Sequence, residues 1–208
     1  MKSRLRVRFT KSTLLSLRRQ VVALQDGHDL LERKRELLTR LVHQRLQKYR
    51  VLRLTVKEAL QGAYNWLAIA HMRMGSTQLR QAVLGLAPAM SVHILPRSSI
   101  GVEYPTVTAE SMPLQPVGLM WTDASFDEAR QRMTDIAVLL AQLGEAETAL
   151  WRLLIEQRKT QKRVNALKYN VIPRYQATIR HIESVLSEEE RDTLFQLKVM
   201  RDQMEAAE

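Results

Sequence analysis

The side chains that most often do chemistry are spread through this chain at spacings that suit no reaction centre. Its five histidines are His28, His43, His71, His93 and His181. No two stand three or four residues apart, so no single helical turn could present a pair to one metal ion. Cysteine is absent, which excludes disulfides, thiolate metal ligands and a thiol nucleophile. The glycines form no phosphate-cradling loop. There is no Gly-x-Ser-x-Gly elbow and no His-Glu-x-x-His helix. Carboxylates alternate with bases instead, as Asp29 does with Arg33 and Glu36 with Arg40, the spacing of solvated pairs along a helix. No cofactor and no metal is expected.

The bases are the stronger signal. The chain carries 32 Lys and Arg against 22 Asp and Glu, a net charge of +10. Residues 1–74 hold 17 bases and 5 acids, residues 75–125 hold 2 and 3, and residues 126–208 hold 13 and 14. The whole excess therefore sits in the first third, where it points to an acidic or polyanionic partner. Arg4, Arg6, Arg8, Lys11, Arg18 and Arg19 are candidates for that contact. They have only Phe9 among them, so they lack the aromatic interleaving of a base-stacking surface. Phosphates, a solvated helix exterior and an acidic protein socket all remain open readings of these residues.

The elements that would position these groups are two long helices. Pro88, Pro96, Pro105, Pro113 and Pro116 crowd into one short segment, and only Pro173 lies elsewhere. Residues 10–74 repeat every seven. One series runs Leu14, Val21, His28, Arg35, Val42, Tyr49, Val56, Ala63, Ala70, and the other Leu17, Leu24, Leu31, Leu38, Arg45, Leu52, Ala59, Trp66. Only His28, Arg35 and Arg45 are polar, and polar groups there set register or snorkel. A strict seven-residue repeat of this length predicts a left-handed coiled coil, with a first helix of about 100 Å. The last segment answers with Ile136, Leu143, Leu150, Gln157, Val164, Val171, Thr178, Val185 and with Leu140, Glu147, Leu154, Gln161, Lys168, Tyr175, Ile182. Gln157 and Gln161 make a polar layer in that seam.

Three parts follow: residues 1–74 as one shaft helix, 75–125 as an irregular middle, and 126–208 as the second shaft helix. Pro173 should bend the last helix near Tyr169. Ser187 and Glu190 read as a capping box, so a helix should restart there. An antiparallel hairpin would set Leu31 near Tyr169 and Leu14 near Leu186. In the middle, Ser91–Pro96 and Val102–Thr108 alternate as strands around a turn at 97–101, after a short helix at Thr77–Leu86. The fold class expected is all-α dominated: a long antiparallel two-helix left-handed coiled coil with a short β-hairpin middle segment. The longest charge-free helical stretch, Ala59–Met72, includes Gln61, Asn65 and His71 and is shorter than the roughly 18 apolar residues of a membrane span. No apolar run follows the basic start, so no secretory signal is expected, and the chain reads as soluble and intracellular.

Specific residues then narrow the field. Lys162–Arg163–Val164–Asn165–Ala166–Leu167, followed by Val171–Ile172–Pro173–Arg174, resembles the C-terminal signature of the D subunits of the V-type and A-type rotary ATPases. That family runs close to Arg-Arg-Val-Asn-Ala-Leu-Glu and then Val-Ile-Pro. Ile179–Glu183, Glu190–Arg191 and Phe195–Lys198 continue the likeness. Near the N-terminus, Thr10, Ser12–Leu15, Gly27–Leu31 and Lys34–Arg35 are similar to the family's opening helix. Lys162 stands where the family commonly has Arg, and Lys168 where it commonly has an acid.

The resemblance implies a central rotor shaft that transmits torque between ATP hydrolysis or synthesis in a catalytic head and ion translocation through a membrane ring. The chain itself would be non-catalytic. The end bearing both termini would enter a ring of catalytic and non-catalytic head subunits. A small rotor protein, the F subunit, would flank the shaft, and a funnel-shaped subunit would link it to the membrane ring. No direct nucleotide binding and no membrane insertion are implied, and the complex would lie on the cytoplasmic face. Arg4, Arg6, Arg8, Lys11, Arg18, Arg19, Lys162, Arg163 and Asn165 are then candidates for contact with the head. Leu17, Leu24, Leu31, Leu38, Leu52, Leu150, Leu154, Val164, Val171 and Ile182 would form the coiled-coil seam. The residues alone leave one alternative, a basic coiled-coil module that binds RNA or DNA.

Overall fold

The computed structural model describes residues 5–117 and 122–205. Helix α1 spans Lys11–Met74 and α2 spans Ser76–Leu84. Strands β1 (Met90–Ser99) and β2 (Val102–Ser111) form an antiparallel pair. Helix α3 covers Ala124–Ala166, a π-helical turn occupies Leu167–Val171, and α4 covers Ile172–Glu205. Helices thus dominate, with one small hairpin between them.

The ends of α1 have local causes. Thr10 caps the start, its Oγ1 accepting the Thr13 N–H at 3.2 Å. At the other end Gly75 takes φ 77° and ψ 164°, a region open to glycine alone. Its N–H donates to the His71 carbonyl at 3.0 Å, which ends the helix.

The chain divides into two compact units. The first joins residues 1–36 to residues 158–208. There the start of α1 lies antiparallel to α4: Lys11 pairs with Glu190 at 2.7 Å and Arg18 with Glu183 at 2.6 Å. Leu17, Val21, Val164 and Ile182 are buried, together with Thr160 and Thr178. Thr178 is satisfied within this core. Its hydroxyl donates to the Arg174 carbonyl at 2.8 Å and accepts the Leu5 N–H at 3.1 Å.

The second unit covers residues 37–157. Here α1 lies antiparallel to α3, with Gln157 Nε2 on Thr39 Oγ1 at 3.2 Å and Arg73 on Asp123 at 3.0 Å. Leu38, Val42, Leu150 and Leu153 join Val102 of the hairpin in one core. Tyr104 is buried beside it, under the Arg45 guanidinium, which sits 5.3 Å from the ring centroid and donates to the phenol oxygen at 3.1 Å.

The hairpin obeys a parity rule. Its turn is only Ile100–Gly101, both at positive φ (53° and 72°), so Ser99 and Val102 close the ladder. In a two-residue hairpin that closing pair exchanges hydrogen bonds and every second pair does not. Pro96 stands opposite Pro105, on a pair of the non-bonded kind, where neither missing N–H costs a ladder bond. The same parity turns the Glu103 carbonyl and the Val107 N–H outward from the ladder. Arg152 donates to the former and Glu145 accepts from the latter, both at 2.9 Å. Residues 145 and 152 are two turns apart on α3, so one helix face covers the β2 edge.

Three expectations shift. The turn is shorter than residues 97–101, and both strands are longer than their alternating cores. Helix α4 runs unbroken through Ser187, where a restart is predicted. Ser187 Oγ donates to the Ser184 carbonyl at 2.8 Å within the helix rather than capping Glu190, and no Gly or Pro interrupts the turn. The seam of the returning helix also changes phase. Leu150, Val164 and Ile182 are buried, while Leu154 and Val171 are half-buried. Before the π-turn the residues that bury fully in the second series are Leu153 and Thr160, one position ahead of Leu154 and Gln161. Leu140 is 46% exposed. After the π-turn Ile182 falls in phase. A π-turn adds one residue to the helix, and a single heptad phase cannot fit both sides of it.

Candidate functional site

The described residues contain no group of three His, Cys, Asp or Glu placed to hold a metal. No helix is long and apolar enough to cross a membrane. The surfaces that carry specific chemistry are faces of helices, and each is built from exposed side chains on a rigid support.

The first face is the basic start of the chain. Arg4 lies outside the described residues. Arg6, Arg8, Lys11, Arg18 and Arg19 are all exposed. Lys11 and Arg18 are already engaged by Glu190 and Glu183 of α4. The hydrogen bond that Lys11 donates to Glu190, with the charge of that carboxylate, raises the Lys11 pKa above its ordinary value. Among the described residues Arg6, Arg8 and Arg19 make no ion pair, so these three carry the positive charge that an outside partner would meet. Phe9 stacks edge-on against His181 at 5.2 Å, which ties this segment to α4.

The second face carries the motif at 162–174. Lys162, Arg163 and Asn165 are exposed and Val164 between them is buried. Val164 thus anchors the turn in the core and leaves the flanking residues on the outside. A polar relay crosses the seam beneath them. Arg35 donates to Glu32 at 2.5 Å and to Gln161 Oε1 at 3.1 Å, and Gln161 Nε2 donates to Asn165 Oδ1 at 2.9 Å. Arg35 and Gln161, polar intruders in the heptad series, meet each other there. His28 Nδ1 lies 3.0 Å from Asp29, while its buried Nε2 and the buried Glu32 Oε2 have no partner among the described residues.

The π-turn follows at once and explains the tolerance of Pro173. In an α-helix the Pro173 ring would collide with the Tyr169 carbonyl, four residues back. Here the Ile172 N–H bonds back to the Leu167 carbonyl, five residues away, and the wider turn clears the ring. Tyr169 is 64% exposed on the outside of this turn, with Lys168 Nζ 5.6 Å from its ring centroid. Sequence periodicity marks the proline but not the extra residue, because one insertion leaves the local composition unchanged.

Two further surfaces are not among the candidate contact residues. Every residue of α4 from Ser187 to Met204 is exposed, including Leu194, Phe195, Leu197, Met200 and Met204. The apolar content of this stretch is the signal that was there to be read. In the second unit, a groove of about 760 Å³ runs along α1 beside Leu143, rimmed by Arg50, Arg53 and Lys57.

Comparison with known proteins identifies the family. The sequence profile of the ATP synthase D subunits matches residues 13–202. The A-type ATP synthase D subunit of Pyrococcus furiosus is 31% identical over 208 residues, covering 98% of this chain and 97% of that relative. The corresponding A-type protein of Thermococcus gammatolerans is 32% identical over 206 residues, covering 97% and 96%. The V-type ATP synthase D subunit of Thermotoga neapolitana is 30% identical over 196 residues, covering 94% and 97%. The family profile takes in both long helices and the hairpin between them, and the chain belongs to the family of ATP synthase D subunits.

Proposed function

We propose that this chain is the central rotor shaft of an A-type or V-type ATPase or ATP synthase. It transmits torque between the nucleotide chemistry of the head and ion movement through the membrane ring, and it catalyses nothing itself. The observation that carries this reading is the family match along nearly the whole chain. The antiparallel helix pairs within each unit support it, because paired helices with a packed seam resist bending.

In this reading the end bearing both termini enters a ring of catalytic and non-catalytic head subunits. Arg6, Arg8, Lys11, Arg18 and Arg19, with Lys162, Arg163 and Asn165, face that ring. The small F subunit lies against the shaft, a funnel-shaped subunit couples it to the membrane ring, and the assembly sits on the cytoplasmic face. An asymmetric shaft surface gives each head site a different set of contacts at each angle. Differential contacts of that kind shift the conformational populations of the sites in turn. Pro173, with the wide turn before it, is the bend in the returning helix.

The test is direct. The chain is assembled with its companion subunits, a bead is fixed to it, and the bead is watched during ATP hydrolysis. Stepwise rotation is expected. A stationary bead on a complex that still hydrolyses ATP would sink the reading. The chain alone is expected to hydrolyse no ATP.

A further inference from the structure

The groove in the second unit has a floor and a rim of different chemistry. Leu46, Tyr49, Leu60 and Leu143 are half-buried along its floor, and Leu54 stands on the lip at 61% exposed. Arg50, Arg53 and Lys57 follow one face of α1 and are all exposed. Among the described residues none of the three makes an ion pair. Between Leu37 and Leu60 the only acid is Glu58, against Arg40, Arg45, Lys48 and these three. Across the groove, Glu145 of α3 is already spent on the Val107 N–H. The chain therefore leaves an apolar trough lined with cations that it does not neutralise.

We propose that this trough is the docking site of an amphipathic helix from a companion subunit. The apolar stripe of that helix fills the floor, and carboxylates beside the stripe meet Arg50, Arg53 and Lys57. The distance from Leu46 to Leu60 is about 21 Å along the helix, so the occupant spans about four turns and anchors at positions three and four residues apart. A second copy of this chain is the wrong partner, since it would bring the same cations and a net charge of +10 against them. A nucleic acid would satisfy the cations but leave the leucine floor uncovered, with half-buried Tyr49 as its one stacking surface. The proposal rests on the rotor-shaft reading for the statement that the helix belongs to a companion subunit.

The experiment places a photoreactive residue at Leu54 or at Leu60 of the full-length chain. The chain is coexpressed with the other subunits of its own complex, the assembled complex is irradiated, and the adducts are sequenced by mass spectrometry. Both positions are expected to capture one companion subunit, within a single segment that has helical apolar spacing and flanking carboxylates. Arg50→Glu, Arg53→Glu and Lys57→Glu together should lower recovery of that subunit about tenfold at ~0.15 M salt. The corresponding Gln triple should fall between, and circular dichroism should show helix content kept in both. No adduct from either position in an assembled complex overturns the proposal. So do adducts to nucleic acid, to a second copy, or to a segment without carboxylates. In each of those cases the assembled complex leaves the rotor-shaft reading standing, whereas a wild-type chain that enters no complex removes the shaft reading first.

Discussion

Asp123 shows how single residues hold the elements in place. It stands just before α3, accepts the Ser125 hydroxyl at 2.7 Å and pairs with Arg73 at the end of α1. The Ser125 hydrogen bond first, and the Arg73 bond next, lower its pKa from 3.8 to about 2. A lowered carboxylate pKa stabilises the fold above the unfolded value of 3.8 and loses that contribution as pH falls through about 2. A carboxyl titration by NMR should place the midpoint near the lower value. Ser125→Ala and Arg73→Ala should each move it up toward 3.8, and midpoints left in place would refute the assignment. Gly75 is a second such residue. A Cβ there would meet nothing within 4 Å, so Gly75→Ala costs only backbone strain. About 1–3 kcal/mol is expected, read from the shift of a denaturant-unfolding curve, and no shift would count against it.

At the scale of elements, the π-turn and the hairpin turn are the two places where local geometry departs from the regular. Thr160 and Ile182, both fully or nearly fully buried in the first unit, are 22 residues apart, one more than three heptads. The π-turn is that extra residue. Deleting Asn170 together with Pro173→Ala should therefore restore an unbroken α-helix with both residues still in the seam. Deleting the exposed Arg180 in α4 should instead turn Ile182 out of the seam, at a cost of about 2 kcal/mol or more. Thermal unfolding ranks the two, and the reverse order would reject the account. In the hairpin, Ile100 sits at φ 53°, where a β-branched side chain costs about 1–2 kcal/mol. Asn is suited to that place in a turn of this kind. Ile100→Asn should make the hairpin more resistant to hydrogen exchange, and faster exchange at Val92 to Thr108 would contradict it.

For the whole molecule the question is what the charge is for. The excess of +10 lies in residues 1–74, which hold 17 bases against 5 acids, and family membership places its partners among the subunits of an ATP synthase. If Arg6, Arg8 and Arg19 meet acidic groups of the head, changing all three to Gln should weaken assembly most at low salt, and the difference should fade as screening grows. Assembly that is equal at every ionic strength would refute that contact. A protein that held nucleic acid through six phosphates would lose roughly 10³-fold in affinity between 50 and 200 mM salt. Weak retention without such a slope leaves the RNA or DNA alternative with no support.

The sequence by itself determined the class of fold, because heptad spacing and the clustering of prolines are local properties that survive without coordinates. It also determined the family, because Lys162–Leu167 and Val171–Arg174 are contiguous. The tertiary structure decided what depends on partners distant in the chain. Only packing shows that Glu190 and Glu183 neutralise Lys11 and Arg18, or that Gln161 answers Arg35. Only packing shows that Glu145 and Arg152 cover the β2 edge and leave Arg50, Arg53 and Lys57 unmatched. The one-residue slip at Leu167–Val171 belongs to the same group. A period read along a sequence assumes a constant turn, and a π-turn is adopted where burial on both sides of it and the bulk of Pro173 outweigh the regular helix.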